Sequence, residues 1–132
     1  GFPYLDLVEK TLKISPDIRF ATVCNMLGEV KYTNTDQMKK SSDTTESLRS
    51  IESASRAWSV RNEFASKIGK GEYVIAQYGK IARIVIPLDK DHLLYLTTTK
   101  NADHTKIAKK ATKLKLGKIK KLTRTREKLI IP

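Results

Sequence analysis

The sequence predicts an α+β fold, a five-stranded antiparallel sheet with helices on both faces, in the order α-β-β-α-β-β-β-α. Three observations lead there. Residues 45–71 read as one long helix whose apolar positions, Leu48, Ile51, Ala54, Ala57, Trp58, Phe64, Ala65 and Ile68, form an arc broader than the usual core-facing stripe. Runs of strand-forming residues bounded by Gly, Pro, Asn and Asp flank it, two before and three after. Both ends of the chain carry shorter amphipathic patterns at helical spacing.

The elements follow in order. Leu5, Val8 and Leu12 mark an opening helix, with Pro3 tolerable in its first turn and Pro16-Asp17 beyond its end. Residues 18–25 and 29–33 form a hairpin that turns at Gly28. The polar stretch 34–46, apolar only at Met38, is expected to be a mobile loop leading into the central helix. Gly69 and Gly71 are expected to end that helix, because glycine accepts the left-handed conformation of a C-terminal cap. Residues 72–78 and 81–88 make a second hairpin across Gly79-Lys80, and Pro87, which cannot donate to a ladder, marks a strand end. Residues 92–99 add a third strand after the turn Asp89-Lys90-Asp91. Asn101 or Asp103 can cap a last helix on which Ile107, Ala108, Ala111 and Leu114 share a side. Gly117 is expected to close the docked part of that helix, with residues 1–117 as the domain and 118–132 as a looser basic extension.

A chain of 132 residues has room for one domain and a real core, and no apolar run approaches the roughly 20 residues that cross a bilayer. The formal net charge of +12 is unevenly spread. From Lys106 to Lys128 there are 11 Lys and Arg against Glu127 alone, whereas the remaining residues carry 15 basic and 13 acidic groups. The body is nearly neutral and the basicity belongs to the C-terminal segment. The single cysteine, Cys24, excludes an internal disulfide and suits a reducing compartment, so a cytoplasmic location is expected. The opening Gly-Phe-Pro-Tyr has no basic segment followed by a long apolar one, and no secretory signal is expected there.

The element order, the hairpin turning at Gly28, the long helix and the three-strand meander resemble the roadblock (dynein light chain 7) group of the profilin-like fold over residues 5–116. The stretch WSVRNEFASKIG beginning at Trp58 also resembles a small uncharacterised archaeal family of this fold. The resemblance implies a non-enzymatic homodimer that pairs through the long helix and an adjoining strand and serves as a scaffold or regulator for small GTPases and motors. Independently, the wide apolar arc asks for a second covering surface, which a twofold interface supplies. Leu48, Ile51, Ser55, Trp58, Arg61 and Asn62 are the expected interface residues.

Other residues bear on possible chemistry. Gly69-Lys70-Gly71 lacks the spacing and the strand-to-helix context of a phosphate-binding loop and reads as a helix cap. His92 and His104 lie near Asp89, Asp91 and Asp103, but their spacing matches no familiar metal-ligand pattern, so neither metal nor cofactor is expected. Cys24 has no activating base beside it in sequence and reads as a small buried thiol. No paired carboxylates or nucleophile set stands out, so no enzymatic activity is expected. Arg61 falls near the centre of the apolar arc, where its guanidinium needs partners in its own or a neighbouring chain; Trp58 is either core or an interface anchor. The alternative function is nonspecific nucleic-acid binding through Lys109, Lys110, Lys113, Lys118, Lys120, Lys121, Arg124 and Arg126, with an anionic membrane as a further acidic partner. Against nucleic acid stands the lack of any aromatic residue after Lys106.

Overall fold

The computed structural model describes residues 3–33 and 44–130, with side chains placed for residues 4–33 and 47–117. Of the expected loop at 34–46, residues 34–43 lie outside the described residues, as do 1–2 and 131–132, whereas 44–46 already belong to a helix. Helix α1 (Pro3–Leu12) leads into strands β1 (Ile18–Asn25) and β2 (Val30–Thr33). Helix α2 (Thr44–Asn62) and the short α3 (Ala65–Ile68) follow, then β3 (Val74–Gln77), β4 (Ile81–Pro87), β5 (His92–Thr99) and α4 (His104–Ile130).

The five strands form one sheet in the order β2-β1-β5-β4-β3, each pairing antiparallel to its neighbour. Strands β1, β4 and β5 are therefore internal, and they alternate apolar residues onto both faces. One face, built from Ala21, Val23, Ile84, Ile86, Leu94 and Leu96, packs on Leu7 and Val8 of α1 and Ile107, Ala108 and Ala111 of α4. The other, built from Phe20, Cys24, Val85, Leu93 and Tyr95, packs on Ile51 and Trp58 of α2. Each fully buried aliphatic side chain contributes about 1.5–3 kcal/mol, so both layers are hydrophobically driven.

The turns are pinned by side chains that the sequence supplies at the right places. Asn25 Oδ1 accepts from the Leu27 and Glu29 N–H groups at 3.0 and 2.9 Å, which shapes the β1–β2 turn. Gly28, at φ +84°, occupies the left-handed position within it. The Asp103 carboxylate accepts from the Lys106 N–H at 3.2 Å and so caps α4.

One expectation about the helices requires correction. Residues 45–71 are two helices: the Glu63 and Phe64 N–H groups bond to carbonyls three residues back, Val60 and Arg61, and this tightened turn separates α2 from α3. Helix α4 continues through Gly117 to Ile130. A single glycine costs a helix only about 1 kcal/mol, and the Lys, Leu and Arg around it are good helix formers.

Candidate functional site

The break after Asn62 determines what the α2–α3 segment presents. Ile51, Ser55 and Trp58 point into the sheet, with Trp58 only 5% exposed. Ser55 donates to the Ile51 carbonyl at 2.8 Å and touches the Cys24 sulfur at 3.6 Å, so its hydroxyl is satisfied inside the chain. Leu48, Arg61 and Asn62 are exposed. The six residues expected at an interface thus divide equally between the chain's own core and its outer surface.

Three large apolar side chains near the break have no cover: Val60, Phe64 at 54% exposure and Ile68 at 82%. Val60 lies in the last turn of α2 and Phe64 at the N-cap of α3, on either side of the tightened turn. The sequence arc included Phe64 and Ile68 but not Val60. Gly69, at φ +93°, ends α3 with its N–H on the Ala65 carbonyl at 2.8 Å, and the chain returns through Gly71 to β3. A Cβ on Gly71 would meet the Trp58 ring at 2.8 Å, so this return lies directly against the indole. Strand β3 is at the sheet edge, and one side of its backbone has no strand partner among the described residues. An exposed apolar helix end and an open sheet edge therefore adjoin the same return segment. A groove of about 1470 Å³ runs from there toward α4, bordered by Trp58, Asn62, Ile68, Tyr73, Lys113 and Leu116. Nothing in the sequence pattern signalled it, since it joins segments distant in the chain.

The residues considered for chemistry have local roles. His92 Nδ1 lies 3.0 Å from Asp89 Oδ1, and the Tyr4 hydroxyl donates to the same carboxylate, tying α1 to the β4–β5 turn. Burial alone would raise the Asp89 pKa; hydrogen bonds from Tyr4, the Asp91 N–H and His92 outweigh it and hold the carboxyl below its ordinary value. Burial, then the bond to Asp89 and its charge, push the Tyr4 hydroxyl well above the ordinary range. His104 Nε2 lies 3.3 Å from the Thr99 carbonyl. Among the described residues no group of three or more His, Cys, Asp and Glu comes together as metal ligands would. Cys24 is buried, and burial raises its thiol pKa despite the contact with Ser55. Arg83 stacks its guanidinium on the Tyr78 ring at 4.7 Å. Lys109, Lys110 and Lys113 are exposed on α4, while the side chains of Lys118, Lys120, Lys121, Arg124 and Arg126 lie outside the described residues. No helix among the described residues is long and apolar enough to cross a membrane.

No protein-family model matches this chain, and no curated protein matches it by sequence. Solved structures do match it in three dimensions. A Roadblock/LC7 domain from Streptomyces avermitilis superposes with a TM-score of 0.69 at 15% identity, over 90% of this chain and 97% of that one. The gliding protein MglB from Thermus thermophilus superposes with a TM-score of 0.69 at 16% identity, over 92% of this chain and 93% of that one. A further MglB, described in a tetrameric arrangement, gives a TM-score of 0.64 at 15% identity, over 89% of this chain and 93% of that one. With almost the whole of each chain covered, the α+β architecture expected from the sequence is that of the Roadblock/LC7 domain, a roadblock/profilin-like fold.

Proposed function

We propose that this chain is a homodimeric interaction module of roadblock type, pairing through α2, α3 and the β3 edge and acting as a scaffold or regulator without enzymatic activity of its own. The observation that carries this reading is the exposure of Val60, Phe64 and Ile68 beside an open edge strand. Each of these side chains leaves apolar area in water whose burial is worth about 25 cal/mol per Å². A twofold axis through this region would cover the patch with a second copy of itself and allow two β3 edges to approach. Arg61 and Asn62, exposed at the end of α2, would form the polar rim. The MglB that is described as tetrameric supports self-assembly as a habit of this fold. The partner class implied by the roadblock resemblance is a small GTPase, which would meet the paired module and not the single chain.

Light scattering after size exclusion tests the pairing. The wild-type chain should be a dimer at micromolar concentration, and Phe64→Asp should dissociate it while leaving the circular dichroism spectrum unchanged. A strict monomer for the wild type would remove the reading. For the partner, binding to a small GTPase should differ between its GTP-analogue and GDP states and should be lost with Phe64→Asp.

A further inference from the structure

The sheet face opposite α2 carries a charge feature of its own, which shares only Lys113 with the groove beside α3. Between α1 and α4 lies an open depression of about 440 Å³, rimmed by Lys10, Lys13, Lys110 and Lys113 and floored by Ile14 and Leu114. No carboxylate lines it. Of the acidic groups on α1, Asp6 is already paired with Lys10 at 3.2 Å, and Glu9 is exposed. Helix α4 bears 11 Lys and Arg with Glu127 as its one acidic residue. In the sequence, Lys106, Lys110, Lys113, Lys120, Arg124 and Lys128 recur at spacings that return to one side of a helix, interrupted once at Gly117. The helix that carries it is 27 residues, about 40 Å, long.

We propose that this lysine face binds the surface of an anionic phospholipid bilayer. The described cations of the face are all lysines, compact point charges that suit a fluid array of headgroups; the arginine forks and aromatic platforms that grip nucleic acid are missing from the lining. The cations also surround an apolar floor of Ile14 and Leu114. Positive charge mixed with apolar side chains matches an interface where headgroups meet acyl chains. A phosphate backbone offers the charge alone. Each lysine near an anionic leaflet adds about fivefold to partitioning, so the four rim residues and their neighbours on α4 suffice for salt-sensitive, reversible attachment.

The test is flotation of the full chain with vesicles of phosphatidylcholine alone and of phosphatidylcholine mixed with phosphatidylglycerol. Binding should need the anionic lipid and fall steeply with added salt. Replacing together the three rim lysines other than Lys10, which is paired with Asp6 (Lys13→Gln, Lys110→Gln, Lys113→Gln), should reduce partitioning about a hundredfold, with an unchanged thermal melt. Replacing the same three with arginine should retain it. Equal binding to both vesicle types, or undiminished binding of the glutamine variant, overturns the proposal. So does duplex DNA that displaces the chain from vesicles and loses affinity with the same three substitutions, an outcome that makes nucleic acid the occupant. The oligomeric state of the glutamine variant, measured in parallel, keeps a failure here distinct from a failure of the pairing reading.

Discussion

Gly28 in the β1–β2 turn is pressed against the backbone of Glu52 in α2: a Cβ built on it would lie 2.5 Å from the Glu52 Cα. The turn is also left-handed there, at φ +84°. A side chain at this position is penalised twice, once in backbone conformation and once by pushing the helix off the sheet. Gly28→Ala should therefore destabilise the fold by about 3 kcal/mol, the left-handed penalty of about 1–2 plus overpacking of about 1–3. Urea denaturation measures it, and a midpoint equal to wild type would show that α2 does not rest on the turn.

Trp58 and Gly71 form a second such pair. Trp58→Ala should cost about 3–5 kcal/mol because it empties the larger part of the α2 core, and Gly71→Ala alone about 1–3 kcal/mol because its methyl would strike the ring. The two effects should not add. With the indole gone, the methyl at position 71 has space, so the double variant should be no less stable than Trp58→Ala. Strict additivity in a double-mutant cycle would contradict the packing described here.

Stability should depend on pH at both extremes through Tyr4 and Asp89. The Asp89 pKa is depressed in the fold, so its contribution is full above the unfolded value of about 4 and is lost as pH falls through the lower folded value. The Tyr4 pKa is raised, so its contribution is full below about 10 and is lost as pH climbs toward the folded value. Tyr4→Phe should lower Tm at neutral pH and flatten both limbs. Melting curves from acid to alkaline pH read this directly; parallel profiles for the two proteins would show that the bond carries no linkage.

Cys24 should be inert in the folded chain. Burial raises its pKa and only 1% of it is exposed, so both the thiolate fraction and access are small. Labelling with an aromatic disulfide reagent should be slow in buffer, complete in urea, and faster in Gly28→Ala in proportion to its loss of stability. Rapid labelling of the native wild type would instead indicate an open route beside Ser55.

Strands β1 and β5 were legible to the residue because local pattern and tertiary role agree in them: apolar groups alternate onto two covered faces between clear turn residues. The pairing of β1 with β5 was not legible, since a contact across some seventy residues leaves no local mark. The wide apolar arc is visible in the sequence, but its geometry there presumes a straight helix. The tightened turn after Asn62 re-aims Phe64 and Ile68 outward, and Arg61, expected near the centre of the arc, is exposed. Trp58, open to two readings in the sequence, is core within the single chain, and any share in pairing would be indirect. At Gly117 the helix runs on, because one poor helix former does not outweigh the good ones around it.

The inner strands are seven or eight residues long, whereas the outer strand β3 has four. A short border limits promiscuity. Fibril-forming segments usually need six or seven residues in register, so the β3 border is too short to template open-ended growth of the sheet. A four-residue ladder is also too weak to hold a stranger by its backbone alone. Whatever joins β3 lastingly must bring side chains that fit the neighbouring helix end, which makes the brevity of the strand a filter on the company the chain keeps.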